Sequence, residues 1–146
     1  MQTIYPFILI IHLSCAIIFL GYLFFDIAIF PNVKKMFGEE IYFKASKAIS
    51  QKGSKIMPLC VLGLLLTGGM MMSNYINSAQ GWFDTNLQKL LVIKIFFALV
   101  IIMMILISLT YAFILKKPSP LRNIIHPLAL TLGFIIVILA KAMFFV

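Results

Sequence analysis

The chain has 146 residues, 63% of them apolar and 11% charged, with a mean hydropathy of +1.12 and a formal net charge of +8. A soluble domain carries about 25% charged and about 45–50% apolar residues, so this balance excludes an ordinary water-soluble enzyme and points to an integral membrane protein. The positive charge does not indicate nucleic acid, because the basic residues lie mostly in two short loops flanking apolar runs.

The polar segments are too short to form a second folded unit, so residues 1–146 read as one domain. The opening Met-Gln-Thr carries no basic run, and the first apolar stretch is too long for a signal-peptide core. No small-residue cleavage pattern follows it, and it is expected to stay attached.

That first stretch, Tyr5 to Pro31, reads YPFILIIHLSCAIIFLGYLFFDIAIFP. A bilayer crossing needs about 20 apolar residues at roughly 1.5 Å each, so it spans with some to spare. It carries His12 and Asp26, and an ionisable group in hydrocarbon costs on the order of 2.5–3.5 kcal/mol. The two are fourteen positions apart, close to four helical turns. They therefore project from nearly one face, about 21 Å apart along the axis.

VKKMFGEEIYFKASKAISQKGSK follows, with Ile41, Ala45, Ala48 and Ile49 at helical spacing and lysines opposite. This pattern predicts a short amphipathic helix on the membrane surface, ended by Gly53 and Ser54. The second span, Ile56 to Met72, holds Pro58 in its first turn, where proline is tolerated. Gly63, Gly68 and Gly69 let it approach another helix or a flat ligand, within the chain or between copies. In the loop SNYINSAQGWFDTN, Trp82 and Phe83 read as interfacial anchors.

The third span, Leu87 to Leu115, has Lys89 at its mouth and Lys94 well inside. The prolines of KKPSPLR end it. The fourth, Asn123 to Phe145, opens NIIHPLALTLG and carries Lys141 close to its end. The predicted fold is an all-α integral membrane protein of four antiparallel transmembrane helices, with the amphipathic surface helix between the first two.

Lys34, Lys35, Lys44, Lys47, Lys52 and Lys55 lie between spans one and two, and Lys116, Lys117 and Arg122 between three and four. The opposite loop has only Asp84 and Lys89. Because lysine and arginine in short loops stay inside, both termini are expected on the outer side of a bacterial plasma membrane.

Depth sorts the polar groups into two layers. His12, Lys94 and Lys141 fall in the outer half, and Asp26, Arg122 and His126 in the inner half. His12 and His126 differ in depth by about 14 Å for a ~30 Å core. Two axial ligands of one iron need nitrogens only about 4 Å apart, so this pair is rejected as a bis-histidine site. In the outer layer, His12 suits a metal or haem iron, and two lysines would neutralise carboxylates such as haem propionates. The bland alternative has both lysines snorkelling to the interface and His12 bonded to a backbone carbonyl. Asp26 is expected to pair with Arg122 or His126, tying the first helix to the fourth.

Cys15 and Cys60 fall at different depths and read as small buried apolar side chains. Met70, Met71 and Met72, with Met143 nearby in depth, invite Cu(I). Successive helical residues point in different directions, however, and flexible packing accounts for them. No Ser/His/Asp set, carboxylate pair, phosphate loop or CxxC motif supports a hydrolase or nucleotide enzyme.

Four segments carry a family resemblance: IIHLSCAIIFLGYLFF, with a glycine nine positions after His12, then WFDTNLQKLLVIK, LRNIIHPL and VILAKAMF. Their order resembles the small four-helix membrane superfamily containing the haem-dependent bacterial protoporphyrinogen IX oxidases and the membrane domain of copper-resistance protein D. The resemblance implies His12 as haem ligand and matches Lys89 and Lys141 to basic positions of the oxidases. Lys94 looks like the helix-three lysine of the copper-resistance domain.

The chain departs from the oxidases in DIAIFPNVKK, where they have a basic, aromatic stretch, and in Ile-Ile-His, where they have an acidic residue beside the asparagine. Its Phe-Pro end of span one looks closer to the copper-resistance group. The implied function is a b-type haem protein in redox chemistry or tetrapyrrole handling, passing electrons to a membrane acceptor such as quinone if it acts on protoporphyrinogen. Copper handling through His12 and Met70–Met72, or a structural role in assembling a respiratory complex, are the rivals.

Overall fold

The computed structural model describes residues 3–79, 81–117, 119–121 and 123–145, and the chain divides into two compact units, Met1–Asn74 and Tyr75–Val146. Among the described residues, four helices are long and apolar enough to cross a membrane. Large side chains such as Ile17, 72% exposed, and Leu59, 69% exposed, project outward from them. Water solvates such a surface poorly, whereas lipid solvates it well.

In the first unit, α1 spans Tyr5–Phe24 and runs into a π-helical turn at Phe25–Ile29 that contains Asp26. The Phe30 amide closes that turn on the Phe25 carbonyl at 2.8 Å. Helix α2 then runs Pro31–Met72. Pro31 thus opens a helix where the sequence suggested that it closes one. A proline in the first turn lacks only an N–H that would have no intrahelical partner, and Phe30 before it keeps helical angles (φ −61°, ψ −34°).

The break comes at Gly38, with φ 84° and ψ 175°. Residues on its two sides face each other: Phe30 stacks on Tyr42 with centroids 4.9 Å apart, and Lys34 pairs with Glu39 at 2.8 Å. The Gly38 angles lie in a region essentially reserved for glycine. Gly38→Ala is therefore expected to destabilise the first unit by about 1–3 kcal/mol, read as a lower unfolding midpoint in detergent. An unchanged midpoint would mean that the corner relaxes freely.

The amphipathic stretch forms the early turns of α2 instead of a separate surface helix. Gly53 and Ser54 do not end it, for two local reasons. The Ser54 hydroxyl donates to the Ser50 carbonyl at 2.7 Å, leaving the helical ladder intact. Gly53 is buried, and a Cβ there would lie 2.6 Å from the Tyr22 hydroxyl. Its missing side chain serves packing. Farther along, Cys15 meets α2 at Gly63, and His12 meets it at Thr67 and Gly68.

In the second unit, α3 spans Asn86–Phe113 and α4 spans Ile125–Ala142. The segment before α3 is irregular apart from an isolated bridge between Asn77 and Gly81. The Tyr75 ring meets the edge of Phe144, just beyond α4, with centroids 6.3 Å apart. After α3, Lys116 adopts a left-handed φ of 50°. Pro118, one of the two prolines expected to end this helix, lies outside the described residues.

Candidate functional site

His12 sits two turns into α1, half-buried against α2. Its Nδ1 lies 2.8 Å from the Thr67 hydroxyl, and that hydroxyl is 2.6 Å from the Gly63 carbonyl. Two oxygens this close repel unless a proton lies between them, and Thr67 has one proton to give. It goes to Gly63, so His12 Nδ1 is the donor to Thr67. The network thereby assigns the tautomer: a neutral ring carries its lone pair on Nε2.

Histidines that bind metals typically have the other ring N–H held in this way, which fixes the ring and raises its basicity. Thr67 is 7% exposed, so little water competes for the bond. A Cβ at Gly68 would come within 3.4 Å of His12 Cε1, so the absence of a side chain there also leaves the ring its place.

The four predicted site residues divide between the units. His12 belongs to the first, and Lys89, Lys94 and Lys141 to the second. Lys89 is exposed in the first turn of α3, and Lys94 is half-buried farther along the same helix. Lys94 makes no hydrogen bond or ion pair with the described residues. Lys141 is exposed in the last turn of α4, with its ammonium 5.3 Å from the centre of the Phe145 ring. That is cation–π distance.

Asp26 is half-buried in the π-helical turn, and His126 half-buried in the first turn of α4. Arg122, one expected partner of Asp26, lies outside the described residues. Met70 is exposed, whereas Met71 and Met72 are half-buried. No group of three or more His, Cys, Asp or Glu side chains is placed to hold a metal ion among the described residues.

Cys15 and Cys60 do not lie at separate levels. A Cβ built on Gly63, one turn after Cys60, would lie 2.8 Å from Cys15 Sγ, and both thiols are free. Helix α2 begins at Pro31 rather than Ile56, and its register against α1 seats Gly63, one turn after Cys60, on Cys15.

Two further polar residues escaped the sequence reading. Thr67 is the hydroxyl in LLLTGG, and nothing in that run announces a histidine partner. Gln88 was legible as the fourth residue of a capping box, T-x-x-Q. Its side chain also reaches back to the preceding loop, which no local pattern signals. Comparisons with family models, characterised proteins and solved structures gave no match.

Proposed function

We propose that this chain is a b-type haem-binding protein of the bacterial plasma membrane, acting in redox chemistry or tetrapyrrole handling, with His12 as an axial ligand. The observation that supports the reading is the Thr67 contact, whose hydrogen-bond chain to Gly63 favours a ring proton on Nδ1 and a lone pair on Nε2. Haem brings four nitrogens of its own, so one oriented histidine meets its minimum need. Bound haem would supply one-electron exchange. His12 would supply the donor nitrogen, and Thr67 would hold its orientation.

Lys89, Lys94 and Lys141 enter this reading by charge alone, as cations that would balance propionates or another anionic group. Quinone and a tetrapyrrole are the small-molecule partners that suit it, with oxidation of protoporphyrinogen as its enzymatic form. Four antiparallel transmembrane helices, with both termini outside, complete it. The antiparallel sense of α1 and α2 is supported by the pairing of Cys15 with Gly63 and Tyr22 with Gly53. The orientation is supported by the six exposed lysines in the early part of α2.

The test is an absorption spectrum of protein purified gently from its native membrane, oxidised and then reduced, with metal analysis alongside. A Soret band and visible bands that sharpen on reduction are expected, and His12→Ala is expected to lose them. A His12→Ala protein with full haem content and an unchanged spectrum would sink the ligand assignment. Stoichiometric copper without haem would favour copper handling. Folded protein with neither, but with a stoichiometric partner, would favour an assembly subunit.

A further inference from the structure

We propose that Cys15 and Cys60 are a redox-active dithiol that closes to a disulfide between α1 and α2, within the apolar layer. They are the only two cysteines of the chain, and they sit on α1 and α2, which pack against each other. The geometry rests on a second observation. Gly63 is one turn after Cys60 on the same face of α2, and a Cβ built on it would lie 2.8 Å from Cys15 Sγ. The Cys15 thiol occupies the space that any other residue at position 63 would fill. The glycine therefore admits this thiol to the face that carries Cys60. Cys60 is 6% exposed and Cys15 is half-buried, so both react inside the helix pair.

Closure joins the two sulfurs at about 2.05 Å. Each thiol loses its hydrogen, and together they release two protons and two electrons. Exchange with an aqueous disulfide requires that its sulfur touch the attacking one, and both thiols lie inside the helix pair. The acceptor that shares this layer is a lipid-soluble quinone, which takes both electrons and both protons to become a quinol. Two thiols and one quinone thus give one disulfide and one quinol. The bond closes a loop that contains the Gly38 corner and pins the turn of α1 next to His12. It does not depend on whether His12 binds haem.

The experiment uses the full chain in lipid nanodiscs, treated anaerobically with a short-chain quinone, then denatured and alkylated. Loss of both alkylatable thiols, a monomer lighter by two hydrogens and a peptide containing Cys15 linked to one containing Cys60 are expected. One quinol should form per chain, and dithiothreitol should restore both thiols. Two alkylatable thiols persisting after quinone, or cross-links only between chains, would overturn the proposal. Gly63→Ala, whose methyl takes the place of the Cys15 thiol, is expected to lose most of this closure at equal quinone exposure. Closure as fast as in the unaltered chain would overturn the role given to Gly63.

Discussion

Replacing Gln88 with leucine is expected to destabilise the Tyr75–Val146 unit by about 2–4 kcal/mol, given a cost of about 1–3 kcal/mol for each buried polar group left unpaired. The Gln88 amide is 4% exposed and fully used. Its Nε2 donates to the carbonyls of Tyr75 at 3.1 Å and Gly81 at 3.3 Å. Its Oε1 accepts from the amides of Asp84 at 2.9 Å and Thr85 at 3.1 Å. Leucine keeps much of the volume and none of these bonds.

The loss stays below the sum of four unpaired groups because Asp84 and Thr85 are exposed, and water will satisfy their amides. The Tyr75 carbonyl, on a half-buried residue, has less relief. Gln88→Glu separates the two halves of the network. A carboxylate still accepts from Asp84 and Thr85, and its charge suits a helix N-terminus, yet it faces two carbonyl oxygens it cannot bond. The cap should survive and the loop should loosen. Trp82, the only tryptophan, lies in that loop and reports on it by fluorescence during unfolding in detergent. A leucine variant with the parent's midpoint would show that the loop holds by other contacts.

The apolar spans were legible because composition over twenty or so residues leaves few alternatives. Pro31, Gly38 and Gly53 show where local signals stop being sufficient. Proline and glycine each have more than one use, and tertiary contacts choose among them. Pro31 fits the start of a helix as well as the residue after one. Gly53 reads as punctuation in sequence but serves as a seat for Tyr22, and Gly38 makes the corner.

The candidate site divides in the same way. His12 stood out because an imidazole in hydrocarbon demands a reason. Thr67 did not, because a threonine hydroxyl can bond its own helix and often does. Here it bonds Gly63 and His12 together, and only the register of α1 against α2 brings that about.

Thr67→Val tests that register through its chemistry. Valine matches threonine in shape but has no oxygen, so the His12 Nδ1–H loses this acceptor while the helix contact is preserved. If His12 is the haem ligand, affinity is expected to fall about 10–100-fold, the usual effect of removing such a partner. The reduction potential is expected to move in the positive direction, since a less basic imidazole stabilises the oxidised iron less. Thr67→Ser keeps the oxygen and should restore both affinity and potential.

A role in packing alone predicts the opposite ranking. Valine would then be harmless, and serine, which lacks the methyl, would be the weaker variant. Haem binding and potential unchanged by valine would separate Thr67 from the site without touching His12, whose own substitution with alanine is read independently.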